Sequence, residues 1–116
     1  MRIKRSKYGV RTDAKGKEDR TVDNVTFASK AESRRYLELK AALNTGLILD
    51  LVLQPHYPLY VKDKKVGTYV ADFRYKTPLG KLVVEDVKGV KTAVYRLKRK
   101  MFEAYYGVKI TEVLDA

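Results

Sequence analysis

The sequence predicts one α/β domain in the order helix, three strands, helix, strand: a mixed sheet with an antiparallel meander, flanked by two helices. Three observations predict it. Two stretches carry helix signals at both ends, from Ser29 to Gly46 and from Thr92 to Gly107. Between them lie strand-type runs punctuated by proline, glycine and aspartate turns. A last β-rich run, Val108 to Leu114, follows the second helix directly, so it returns to the sheet through a helical crossover.

Residues 1–25 read as a basic N-terminal arm and 26–116 as the folded domain. In the first twenty residues Arg2, Lys4, Arg5, Lys7, Arg11, Lys15, Lys17 and Arg20 face only Asp13, Glu18 and Asp19. No apolar periodicity appears there, and a short hairpin around Lys15-Gly16 is the only order expected. Ser29 is the N-cap of the first helix, and Glu32 three residues on completes a capping box. Tyr36, Leu39 and Leu43 form its buried stripe, with Lys30, Arg34, Arg35, Glu38 and Lys40 mostly on the other side. Glu32 lies four residues before Tyr36, so it continues the stripe that faces the core. Gly46 ends the helix.

Leu47 to Leu53 is a strand or extended segment closed by Gln54-Pro55. Pro55 and Pro58 bracket His56 and Tyr57, which gives an extended lead-in to a strand near Leu59 to Val61. His56 reads as a surface or packed residue, since nothing nearby would orient it as a ligand. Asp63-Lys64-Lys65 is a turn, and Val66 to Tyr75 a second strand. That strand puts Tyr69, Ala71, Phe73 and Tyr75 on one face and Val70, Asp72 and Arg74 on the other. Thr77-Pro78-Leu79-Gly80 is a tight turn, and Leu82 to Lys88 the third strand. In the second helix, Thr92 to Tyr106, the helical spacing predicts Val94, Leu97, Met101, Ala104 and Tyr105 as the buried face. Arg96, Lys98, Arg99 and Lys100 crowd its first half.

Composition narrows the chemistry. With 116 residues there is room for one core, not two. A net charge of +11 suits a polyanion, and nucleic acid is the commonest. The chain has no cysteine and one histidine, so any metal must be held by oxygen, which favours Mg²⁺ or Mn²⁺. No apolar run approaches membrane-spanning length and the start lacks a signal-peptide core, so a cytoplasmic protein with no membrane partner is expected.

The stretch from Val83 to Gly89 carries the candidate chemistry. Alternation puts Asp86 and Lys88 on one face and Glu85 and Val87 on the other. Alone, the acid-x-lysine triplet reads as an ion pair on an exposed strand. Asp72, however, is a charge amid apolar residues, and pairing of Val70–Tyr75 with Leu82–Lys88 would stand it beside Asp86. Two carboxylates at that range repel unless a divalent cation fills the gap, and Glu32 can approach as a third. An oxygen-ligated metal in a basic protein suits phosphodiester hydrolysis.

Asp72 followed by Asp86-Val87-Lys88, on this element order, resembles the PD-(D/E)XK nuclease superfamily and its restriction-endonuclease-like core. Phe27 to Glu32 with Tyr36, Gln54-Pro55, Ala71-Asp72-Phe73 and Glu85 to Gly89 resemble, more narrowly, small phage-type endonuclease domains. Those are related to Holliday junction resolvases and TnsA-like transposon endonucleases. The likeness runs from about Lys7 to Leu114. It implies a metal-dependent DNA endonuclease using Mg²⁺ or Mn²⁺, with Glu32, Asp72 and Asp86 and the carbonyl of Val87 as ligands. Glu32, Asp72, Asp86 and Lys88 would be the catalytic set, with Lys88 positioning the attacking water. Ala71 stands where the superfamily name has proline, and Glu85 is an alternative acid that faces away from Lys88. Gln54 either touches the metal or only holds the backbone. DNA contacts fall to Lys4, Arg5, Lys7, Arg11, Lys30, Arg34, Arg96, Lys98, Arg99 and Lys100. Branched DNA as substrate would require a homodimer, and phage recombination or DNA processing in the host cytoplasm is the implied setting. The alternative is a non-catalytic DNA-binding module that keeps the nuclease fold.

Overall fold

In the computed structural model, which describes residues 20–114, two helices enclose a four-stranded sheet. The elements are β1 (Thr21–Val22), β2 (Val25–Thr26), α1 (Lys30–Asn44), β3 (Leu49–Leu53), β4 (His56–Val61) and β5 (Lys64–Val70). They continue with β6 (Phe73–Lys76), β7 (Leu82–Lys88), α2 (Ala93–Tyr106) and β8 (Ile110–Leu114). The main sheet has the order β3-β6-β7-β8. Its first three strands are an antiparallel meander, and β8 lies parallel to β7 after the α2 crossover. The fold is thus the predicted α/β class with two helices and a mixed sheet. Two small hairpins, β1–β2 and β4–β5, stand apart from the ladder.

Local chemistry explains the helix ends. Ser29 Oγ accepts the Glu32 amide at 3.1 Å, and Thr92 Oγ1 accepts the Tyr95 amide at 3.1 Å. After α1, Gly46 turns left-handed and the Leu47 amide reaches back to the Ala42 carbonyl at 2.9 Å. Gly107 does the same work for α2 with φ 72°. Residues 21–25, assigned from sequence to the arm, belong with Thr26 to the β1–β2 hairpin, whose Asp23-Asn24 turn has positive φ at both positions. The hairpin is held to α1, where Tyr36 Oη donates to Asp23 Oδ2 at 2.6 Å. The hairpin expected around Lys15-Gly16, and Lys4, Arg5, Lys7 and Arg11, lie outside the described residues.

Apolar residues collect on both sides of the sheet. Toward α1, Phe27, Tyr36, Leu39, Ile48, Phe73 and Tyr75 form one cluster. Toward α2, Leu59, Tyr69, Ala71, Val84, Tyr95, Phe102 and Ile110 form the other. Phe27, Phe73 and Phe102 are essentially inaccessible, each worth about 1.5–3 kcal/mol of burial.

Two expectations need correcting. The single strand from Val66 to Tyr75 is in fact two strands that belong to different sheets. Ala71 and Asp72 leave the ladder because separate neighbours claim their backbone groups. The Ala71 amide donates to the Pro55 carbonyl at 3.2 Å, and the Asp72 amide to the Glu85 carbonyl at 3.0 Å. The break also swaps faces, sending Tyr69 and Ala71 to the α2 cluster and Phe73 and Tyr75 to the α1 cluster. The meander accordingly uses β3 where the sequence suggested the strand near Leu59. In α2 the buried face is Tyr95 and Phe102, whereas Val94, Leu97, Ala104 and Tyr105 are exposed and Met101 is half-buried. Aromatic rings bury more area per residue than aliphatic ones, and the aromatic stripe wins the sheet.

Candidate functional site

Asp86 lies at the middle of the sheet's α2 side and is wholly buried. Its Oδ2 accepts the Tyr69 hydroxyl at 2.5 Å, and its Oδ1 stands 3.1 Å from Lys88 Nζ. Lys88 in turn rests on the Tyr95 ring, 4.2 Å from the centroid, a cation–π seat that narrows the directions its ammonium can take. Tyr95 is fixed at its far end, because its hydroxyl donates to Glu112 Oε2 at 2.8 Å. Glu112 comes from β8, in register with Asp86, and also meets Lys91 at 2.9 Å and Arg99 at 2.8 Å. Burial pushes the Tyr69 and Tyr95 phenols well above their ordinary range, so both stay protonated as donors. Glu112 is held below the usual carboxylate range, first of all by the hydrogen bond from Lys91.

Asp72 reaches the same strand from the β5–β6 break. It is wholly buried, and its Oδ2 accepts the Val87 amide at 2.7 Å. The Asp86–Val87 peptide therefore has one aspartate in its chain and another on its N–H. Glu32, in the first turn of α1, is also buried at 2% exposure. Among the described residues, no three Asp, Glu or His side chains are grouped closely enough to hold a metal ion. The structure thus brings Asp72, Asp86 and Lys88 together, while Glu32 stays outside any such group.

Glu85 resolves as the sequence alternation predicts, on the opposite face. Arg35 grips it with two bonds, Nε to Oε1 at 2.8 Å and Nη2 to Oε2 at 2.6 Å, and the Tyr75 hydroxyl adds a third. Burial raises the Tyr75 phenol to about 12, and the Glu85 carboxylate holds the Arg35 guanidinium above its ordinary value. This network ties α1 to β7 one turn beyond Glu32. Gln54 has its amide on the Asp72 carbonyl at 2.9 Å with a left-handed φ of 50°. That bond is made by the main chain, and the side-chain carboxamide takes no part in it.

A match to the family model "Protein of unknown function (DUF1064)" covers residues 5–115. The chain belongs to that family. Comparisons with curated proteins and with solved structures gave no match. In this DUF1064 domain the candidate DNA contacts Lys30, Arg34, Arg96 and Lys100 are exposed and Lys98 is half-buried. Arg99 is engaged within the fold by Glu103 and Glu112. His56 is exposed, and no helix among the described residues is long and apolar enough to cross a membrane.

A groove of about 460 Å³ in the DUF1064 domain is lined by Asp50, Tyr57, Arg74, Tyr75, Lys76 and Leu82. It sits at the Lys76–Leu82 end of β6–β7, away from the pairing of Phe73 with Glu85 beside Asp72. With one acid and no partner for it among the candidate residues, the groove carries less chemistry than the Asp86 region. A smaller cleft of about 180 Å³, between α1 and the ends of β7 and β8, is lined by Arg34, Arg35, Val87 and Val113 among others. It gives the strand ends next to Lys88 a basic rim. Sequence reading missed Tyr69, Glu112 and the role of Arg35. A tyrosine two residues before Ala71-Asp72 was the available signal for Tyr69, but its partner depends on the strand break.

Proposed function

We propose that this DUF1064 domain is a metal-dependent DNA endonuclease of the PD-(D/E)XK type, using Mg²⁺ or Mn²⁺. The observation that carries the reading is the meeting of Asp72 and Asp86 at one peptide of β7, both wholly buried, with Lys88 Nζ 3.1 Å from Asp86. Two buried carboxylates converging on one strand beside a lysine are a donor set that a divalent cation can take up. The donors are all oxygen, which suits Mg²⁺ or Mn²⁺. Asp72 and Asp86 would hold the ion, joined by the Val87 carbonyl. When bound, the ion supplies charge neutralisation on the phosphate and a more acidic water.

The chain's own groups do the rest. Lys88, braced by Asp86 and Tyr95, orients the attacking water or meets a phosphate oxygen. Tyr69 keeps Asp86 turned so that Oδ1 faces Lys88. Lys30 and Arg34 at the start of α1, and Arg96, Lys98 and Lys100 on α2, meet the DNA backbone with a charge that weakens as salt rises. Cutting a branched junction symmetrically takes two copies of the site, hence a homodimer. Val94, Leu97 and Tyr105, each about 60% exposed on α2, offer an apolar surface for it. Phage recombination or DNA processing in a host cytoplasm is the setting this activity fits.

The test is cleavage of a labelled four-way junction, a matched linear duplex and a supercoiled plasmid with Mg²⁺, Mn²⁺ or EDTA, beside Lys88→Ala. Paired, metal-dependent nicks at the junction alone define a resolvase, and cuts in all three a less selective endonuclease. DNA binding with no cut that Lys88→Ala abolishes would leave a DNA-binding module and sink the catalytic reading.

A further inference from the structure

Gln54 follows β3 directly and is only 4% exposed, yet among the described residues neither Oε1 nor Nε2 meets a hydrogen-bond partner. A carboxamide offers two N–H donors and two acceptor lone pairs, and here all of that capacity is buried unused. Native interiors rarely leave such a group unsatisfied unless something outside the chain satisfies it. The backbone is strained at the same point, with φ 50°, a region that side-chain-bearing residues adopt reluctantly. Packing explains neither feature. Methionine would fill nearly the same volume without the stranded polar atoms.

Position supplies the reason. Leu53 pairs with Phe73, and the Gln54 amide donates to the Asp72 carbonyl at 2.9 Å, so Gln54 stands across the ladder from Asp72. We infer that the Gln54 carboxamide hydrogen-bonds the water that accompanies a divalent cation at Asp72 and Asp86. The inference rests on the metal-dependent reading above. Mg²⁺ parts with its water reluctantly, and that water needs partners in the wall of the site. Oε1 would accept a hydrogen bond from that water, and Nε2 would donate one to a second oxygen. Gln54 is therefore a positioning residue, kept at some expense of stability.

Thermal melting of the full chain, titrated with MgCl₂ and separately with MnCl₂, tests this on wild type, Gln54→Met and Asp86→Asn. Without metal, Gln54→Met is expected to melt at or above wild type. The Mg²⁺ concentration that half-saturates its stabilisation is expected to rise about 10–100-fold, the usual loss for a residue one step behind the ligands. A wild-type Mg²⁺ midpoint in Gln54→Met overturns the inference and makes the residue structural. Should Gln54→Met not fold, Gln54→Leu takes its place, with Mn²⁺ binding followed by electron paramagnetic resonance in the cold. If wild type answers neither ion, the inference and the nuclease reading fall together. If wild type responds, Asp86→Asn does not, and Gln54→Met responds like wild type, only the role of Gln54 is wrong.

Discussion

Glu85 and Asp86 are neighbours on β7, one 1% and the other 0% exposed, and they face opposite sides of the sheet. On the α1 side, Glu85 is clamped by the fork of Arg35 and capped by Tyr75. On the α2 side, Asp86 meets a tyrosine hydroxyl and a lysine ammonium that leans on an aromatic ring. The difference lies in the cation. A guanidinium fork fixes both carboxylate oxygens in one plane, which fastens a helix to a sheet. An ammonium is a point charge with three rotatable donors, able to turn from one oxygen to another. Burial alone therefore does not tell the two acids apart; the partner that shares the burial does.

The sharpest break of this comparison is Asp86→Asn. On the proposed nuclease reading, metal-dependent cleavage is expected to fall by about 10³-fold, the scale of losing one charge-stabilising group, with the melting temperature little changed. Arg35→Ala should do the reverse. It leaves Glu85 buried without its cation, so stability in urea denaturation should drop by about 3–5 kcal/mol, while residual folded protein still binds metal. Equal losses of stability from both variants would show that the two acids play one structural part.

Tyr69→Phe removes a single hydroxyl from Asp86 and is expected to weaken metal affinity about tenfold, read by titrating the Mg²⁺-induced rise in melting temperature. The smallest effect concerns Glu112. Its carboxyl is depressed from the ordinary 4.5, first by the Lys91 hydrogen bond, so its contribution to stability is complete above that value. The contribution is lost as pH falls through the lower folded value. Urea midpoints followed from about pH 6 to about pH 3 should decline more steeply for wild type than for Glu112→Gln.

Much of this was readable because it is local. Caps at Ser29 and Thr92, the stop at Gly107 and the run from Leu82 to Lys88 depend on residues a few positions apart, and all sit where chain chemistry puts them. The β5–β6 break was hidden because its causes are distant. Pro55, Gln54 and Glu85 supply the bonds that pull Ala71 and Asp72 out of line. In α2 the sequence offers two apolar stripes offset by one residue, and periodicity cannot rank them. Tyr95 and Phe102 are buried because the sheet below has room for rings among Tyr69, Leu59 and Val84. At the candidate site, the opposite faces of Glu85 and Asp86 were legible as strand alternation, whereas Asp72 reaches β7 from the strand break, and Tyr69, Glu112 and Arg35 act through contacts that only the assembled sheet creates.

The parallel pairing of β7 with β8 sets the order in which this site can be built. The β4–β5 and β6–β7 hairpins close over tight turns and need little chain entropy to form. Glu112 reaches Tyr95 and Arg99 only after the chain has run through α2 and β8 has docked beside Asp86. Contacts of that separation form late. Pulse-labelled hydrogen exchange during refolding should therefore protect the amides of β6 and the first half of β7 before those of Ile110 to Leu114. Until that last strand docks, Lys88 has its aspartate but not the fixed ring beneath it.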